Sequence, residues 1–196
     1  MNLPNALTLG RIFLVPLLVV VLLTKFEGRL IFGIREELVG AIIFAVASIT
    51  DWLDGYLARR RQQVTTLGQL LDPLADKLLV TAALVSLVQI GLAPAWMAAV
   101  IIGRELAVTG LRGVAQARGV TLAASGLGKA KMAAEVAAVL LLLVGHVTVR
   151  ELFLLGQAAL WVVVALALVS AFDYYRHFAQ AMAGAASAAA GQSSRK

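Results

Sequence analysis

Cysteine is absent from the 196 residues, which excludes disulfides, zinc–thiolate sites and iron–sulfur clusters. Histidine occurs only as His146 and His177, too far apart in sequence to suggest a histidine-rich metal site. Charge is scarce too: 14% of residues are charged against 61% hydrophobic, with a mean hydropathy of +0.89. A chain of this balance has lipid as its natural solvent and is not a soluble domain. Any metal it binds should be a hard cation held by oxygen ligands. No convincing internal repeat is present, so an inverted-repeat transporter is not supported. Nor does an A-x-A cleavage pattern follow Leu23. The first apolar run therefore reads as a retained span rather than a removed signal, in a mature chain starting near Met1.

Apolar runs fall near 10–25, 37–58, 70–91, 94–111, 131–148 and 152–174, separated by short stretches rich in Arg, Lys, Glu, Gly and Pro. The fold class expected is an all-α integral membrane protein with six transmembrane helices. The opening MNLPNALTLGR, of mixed polarity with an early Pro4, suits a short N-terminal interfacial helix. One membrane domain is expected over 1–182. Beyond it the Ala/Gly/Ser-rich 183–196 reads as a flexible C-terminal tail.

Basic residues orient the chain. With both termini cytoplasmic, that side receives Arg11, Arg59, Arg60, Arg61, Arg112, Arg118, Lys129, Lys131, Arg176, Arg195 and Lys196. The opposite side receives Lys25, Arg29, Arg35 and Arg150, each beside glutamates. The net charge of +6 is thus cytoplasmic, in the cell's inner membrane. Such a face attracts anionic headgroups and phosphorylated metabolites, or it simply sets topology. Trp96, Trp161, Tyr174 and Tyr175 fit interface anchoring, and nucleic acid is not expected as a partner.

Against this background Asp51, Asp54, Asp72 and Asp76 are improbable without a function. A charge at bilayer depth costs roughly 2.5–3.5 kcal/mol even on the lenient insertion scale. Asp51 and Asp54 are three apart and share a helix face, with Gly55 allowing close backbone approach. Gly68, Asp72 and Asp76 recur every four residues as a stripe at the start of the next span. The short connection from Arg59 to Leu67 makes the two helices antiparallel neighbours whose acidic ends meet near the cytoplasmic surface. Four unmetallated carboxylates would repel one another, so charge balance favours two divalent cations, about 3.5–4 Å apart in such sites. Pairing with Arg59, Arg60, Arg61 and Lys77 is the plainer alternative. It does not need both registers.

Asp51-x-x-Asp54-Gly55-x-x-Ala58-Arg59, eight residues, then Gly68-x-x-x-Asp72-x-x-x-Asp76 resembles the signature of the CDP-alcohol phosphatidyltransferases without departure. The resemblance implies a six-span enzyme, its active site on the cytoplasmic side of the bundle, that displaces CMP from a CDP-linked lipid with an alcohol. Two divalent cations, Mg2+ or Mn2+, are implied, with Asp51, Asp54 and Asp72 as ligands and Asp76 as ligand or general base. Gly55, Ala58, Arg59 and Gly68 would line the CDP site, and a homodimer is the implied assembly. Asn2-Leu3-Pro4-Asn5-Ala6-Leu7-Thr8 and Gly103-Arg104-Glu105-x-x-Val108-Thr109-x-x-Arg112 resemble the branch of the family that uses CDP-diacylglycerol and glycerol 3-phosphate.

Asn5 and Thr8 contact the nucleotide or merely cap the first helix. Arg104 and Arg112, eight apart, share roughly one helix face and suit the acceptor's phosphate, with Lys129 and Lys131 on the same side. Alternatively Arg104 pairs internally with Glu105 or a neighbouring helix. Inositol phosphate and phosphatidylglycerol are the competing acceptors, and a divalent-metal transporter is the rival class.

Overall fold

The computed structural model describes the backbone of residues 3–24, 33–61, 66–118 and 126–193, and the side chains of 10–24, 33–51, 74–118 and 130–181. Among the described residues the elements are six helices: α1 (Leu3–Leu23), α2 (Glu36–Arg61), α3 (Thr66–Gln89), α4 (Ala95–Ala117), α5 (Gly126–Val147) and α6 (Arg150–Ser193). The shortest has 21 residues, which at about 1.5 Å per residue reaches across a hydrocarbon core of about 30 Å. Two described segments combine span length with span apolarity, Ala130–Val147 and Arg150–Ala181.

The short interfacial helix expected at the amino end is not a separate element. Pro4 falls in the first turn of α1, where its missing N–H would be unpaired anyway, and the helix runs unbroken to Leu23. At the other end, α6 continues through the alanine-rich 183–193 expected to form a flexible tail. Residues 194–196 lie outside the described ones. Alanine has the highest helix propensity, so the stretch needs no tertiary partner to favour this backbone.

Glu36 and Glu37 open α2, their charges complementing the positive end of the helix dipole. Helix α3 ends in a Schellman motif. The N–H of Leu92 bonds the carbonyl of Leu87 at 2.8 Å and that of Gly91 bonds Val88 at 3.1 Å. Gly91 takes φ +78, which a side chain would disfavour, while Leu87 and Leu92 both join the core. Gln157 of α6 donates to the Leu92 carbonyl at 2.8 Å and fixes this turn against the bundle.

Leu18, Phe44, Leu79, Leu87, Met97 and Leu142 are among the side chains that fill the centre. Large apolar residues also face outward, Phe13 at 74% exposure among them, a distribution suited to lipid. Helices α5 and α6, joined through Thr148 and Val149, make the most extensive pair. Glycines allow their backbones to touch. A Cβ built on Gly145 would lie 2.3 Å from the Phe153 nitrogen, and one on Gly156 would lie 2.8 Å from the Leu142 nitrogen. Among the described residues α1 packs on both α2 and α3, which meet each other only briefly, and α4 packs mainly on α6.

Candidate active site

Five of the side chains singled out in the sequence are described: Asp51 on α2, Asp76 on α3, Arg104 and Arg112 on α4, and Lys131 on α5. The side chains of Asn5, Thr8, Asp54, Ala58, Arg59, Asp72 and Lys129, and the surroundings of Gly55 and Gly68, lie outside the described residues, although the backbone of each is helical.

Asp51 is the first residue of the charged end of α2 and is met by Arg11 of α1, whose Nη1 lies 2.5 Å from Asp51 Oδ1. Arg11 is only 1% exposed, so this pair is a buried tie between the first two helices. Asp76 lies within electrostatic reach of Asp51, Glu135, Glu105 and Arg11, which brings acidic groups from four helices towards one region. Among the described residues alone no three acidic or histidine side chains make a metal site. The donor chemistry nevertheless fits a hard divalent cation. Asp51 and Asp76 offer carboxylate oxygens, and the chain has no thiolate.

A small cleft opens beside Asp76, walled by α3, α4 and α5. Asp76, Lys77 and Thr81 line it from α3, Glu105 from α4 and Glu135 from α5. Lys77 donates to Thr109 of α4, and Thr109 Oγ1 in turn donates to the Glu105 carbonyl at 2.7 Å. The carboxylate end of α3 is thereby fastened to the middle of α4.

The basic side chains are organised around Glu105. Arg104 Nη1 donates to Glu105 Oε1 at 2.6 Å, and Lys131 Nζ donates to the same oxygen. Lys131 also pairs with Glu135, one turn along α5, at 2.6 Å. The remaining fork of Arg104 donates from Nη2 to Ser170 Oγ of α6 at 2.7 Å. Of the two alternatives for Arg104, the internal pair with Glu105 and a neighbouring helix is therefore present. Arg112 is placed differently. Its Nε donates to Tyr174 Oη at 3.0 Å and its guanidinium lies 5.6 Å from the centre of that ring.

Tyr174 was expected at the interface and is instead 6% exposed, because Arg112 covers it. Tyr175, at 60%, and the edge-to-face pair Trp96–Trp161 do face outward. Glu135, Ser170 and Tyr174 are the polar residues of this region that motif reasoning missed. An ionisable residue inside the apolar run 131–148 was a usable signal for Glu135. Ser170 and Tyr174, four apart on α6, carried no comparable mark.

A family model described as CDP-alcohol phosphatidyltransferase matches residues 1–169. The chain is 49% identical over 180 residues to the CDP-diacylglycerol–glycerol-3-phosphate 3-phosphatidyltransferase of Bacillus subtilis (strain 168), covering 89% of this chain and 93% of that protein. It is 38% identical over 182 residues to the protein of the same name from Pseudomonas fluorescens, covering 90% of this chain and 89% of the relative. For the Rickettsia bellii (strain RML369-C) protein of that name the identity is 34% over 177 residues, covering 89% and 94%.

Proposed function

This chain belongs to the CDP-alcohol phosphatidyltransferase family, and from that premise we propose that it transfers the phosphatidyl group of CDP-diacylglycerol to glycerol 3-phosphate. The products are phosphatidylglycerophosphate and CMP. The observation that carries the reading is the shared cleft: Asp76 faces it from α3 and Glu105, which gathers Arg104 and Lys131, faces it from α4. Through Lys77 and Thr109 the carboxylate end of α3 also adjoins the part of α4 that carries Arg112, a cation suited to an anionic alcohol.

In the reaction the primary hydroxyl oxygen of glycerol 3-phosphate attacks the phosphorus bearing diacylglycerol. The bond from that phosphorus to the CMP oxygen breaks, CMP leaves, and the hydroxyl proton is released. Asp51, Asp54, Asp72 and Asp76 would hold two divalent cations, Mg2+ or Mn2+, which when bound neutralise the diphosphate and the charge developing on the leaving group. Asp76 is the residue suited to accept the hydroxyl proton if it is not wholly engaged as a ligand. Arg11 holds Asp51 in orientation. Gly55, Ala58, Arg59 and Gly68, with Asn5 and Thr8, form the CDP site, the guanidinium of Arg59 meeting the diphosphate. Arg104, Arg112, Lys129 and Lys131 are the residues assigned to the phosphate of the acceptor, Arg112 first among them.

The lipid substrate fixes the setting. Its acyl chains must stay in the bilayer while nucleotide and soluble acceptor meet at the surface, so the six helices span the inner membrane with the site and both termini on the cytoplasmic side. The outward-facing apolar side chains and the distribution of basic residues support this arrangement. The membrane domain covers 1–182 and works as a homodimer.

The test is CMP release from CDP-diacylglycerol by purified protein with Mg2+, offered glycerol 3-phosphate, inositol phosphate, serine or phosphatidylglycerol in parallel. Release with glycerol 3-phosphate alone is expected. Release with another acceptor would keep the chemistry and discard the acceptor assignment, and no release with any would turn attention to metal transport.

A further inference from the structure

Charge is unevenly spent along α4 and the helices packed against it. Arg104 and Lys131 are cations, Glu105 and Glu135 are acids, and the four form one connected, electrically balanced group. Arg104 is further anchored by Ser170, and Lys131 is only 2% exposed. These two cations are therefore already answered by carboxylates. Among the described residues, Arg112 is not. Its described partner is a neutral phenol, so the full guanidinium charge is retained on the exposed side of α4 while its direction is fixed.

The phenol constrains it in two ways. Tyr174 Oη accepts the Nε–H, and the ring lies beneath the guanidinium as a cation–π surface. Because Nε is the donor used, the two Nη groups at the far end of the fork remain for a doubly charged oxyanion, which they suit by bidentate geometry. Tyr174 is itself buried and rooted in α6 one turn beyond Ser170, the residue that holds Arg104. Helix α6 therefore supplies one side chain to each arginine of α4. At Arg104 that contact completes a neutral cluster, whereas at Arg112 it preserves a charge.

We propose that Tyr174 is a positioning residue for the acceptor: it holds the Arg112 guanidinium, without neutralising it, in the orientation that receives the phosphate of the incoming alcohol. The proposal rests on the reading that Arg112 meets that phosphate. A flexible arginine would have to be ordered at each binding event; one already held by a buried phenol pays that ordering on folding, so the contribution appears in acceptor affinity. Tyr174 touches neither reacting atom.

The experiment measures KM for glycerol 3-phosphate, KM for CDP-diacylglycerol, kcat and the detergent-solubilised melting temperature for Tyr174→Phe, Arg112→Ala, Arg112→Lys and the double variant Arg112→Ala/Tyr174→Phe. Tyr174→Phe keeps the ring and removes the hydrogen bond. It is expected to raise acceptor KM about 5- to 10-fold, the scale of one net intramolecular hydrogen bond, with lipid KM and melting temperature unchanged. Arg112→Lys keeps a charge but loses the Nε–H donor, so it should reproduce that selective loss and serves if the phenylalanine variant does not fold. The double variant should be no worse than Arg112→Ala alone.

If Arg112→Ala raises acceptor KM but Tyr174→Phe and Arg112→Lys leave it within about two-fold, the positioning role falls and the Arg112 reading stands. If Arg112→Ala itself leaves acceptor KM unchanged, both fall. Equal rises in the two KM values with a lowered melting temperature would make Tyr174 a packing residue and overturn the proposal.

Discussion

Arg11 and Asp51 face each other at 2.5 Å across the α1–α2 interface, with the arginine almost wholly enclosed. An aspartate of the motif is thus oriented by a helix that contributes no aspartate of its own. Arg11→Ala removes the enclosed partner of a partly exposed carboxylate and should lower stability by about 1–3 kcal/mol, the cost of leaving a charged group short of one hydrogen-bond partner. Thermal unfolding in detergent measures it. A melting temperature unchanged from wild type would show that the tie is dispensable.

Asp72→Asn and Asp76→Asn each keep side-chain size and remove a carboxylate charge. CMP release should fall by about 10²-fold or more in each, the scale of losing a catalytic proton acceptor or an electrostatic stabiliser, with folding retained on size exclusion. Undiminished turnover in both variants would sink the mechanism.

Chelation tests the same site from the other direction. EDTA should abolish CMP release, and excess Mg2+ or Mn2+ should restore it, both being oxygen-seeking cations. Full activity at a chelator concentration far above total metal would rule out the role given to the four aspartates.

Glu105 accepts from both Arg104 and Lys131. Replacing it by alanine leaves two neighbouring cations without their shared acceptor, so Glu105→Ala should cost about 3–5 kcal/mol. Arg104→Met, which removes a cation and leaves both Glu105 and Glu135 with Lys131, should cost less. The comparison is made by unfolding the two variants side by side, and the reverse order would contradict the assignment of Glu105 as the hub.

Gly145→Ala and Gly156→Ala place a methyl group against backbone atoms of the facing helix at 2.3 and 2.8 Å. Overpacking of this kind costs about 1–3 kcal/mol, and the two helices must move apart to accept it. Gly113→Ala on α4, where nothing lies within 4 Å, is the control and should be neutral or stabilising. A destabilisation shared equally by all three would point to helix backbone effects instead of the α5–α6 contact.

The sequence displayed different parts of this protein with different clarity. Six apolar runs gave six helices, because a helix of span length must satisfy its backbone internally wherever it lies. Asp51 and Asp76 were conspicuous because charge is rare in such a chain. The continuity of α1 was hidden by the polar residues around Pro4, which resemble a boundary although proline in a first turn interrupts nothing. Tyr174 and Ser170 were hidden for another reason: their partners, Arg112 and Arg104, belong to a helix more than 60 positions earlier. A phenol against an arginine and a phenol against a lipid headgroup look identical in one dimension. The balance of Arg104 and Lys131 by Glu105 and Glu135 likewise depends on α4 meeting α5, and only the pair Lys131 and Glu135, one turn apart, was visible locally.

Helix α6 has 44 residues and, at about 1.5 Å each, a contour of about 66 Å, roughly twice the hydrocarbon thickness of a bilayer. The 19 residues that follow Tyr174 up to Ser193 account for about 28 Å of that rod. A purification handle or fluorescent reporter fused beyond Ser193 is thus carried on a helical segment whose own contour approaches the thickness of a bilayer's hydrocarbon core.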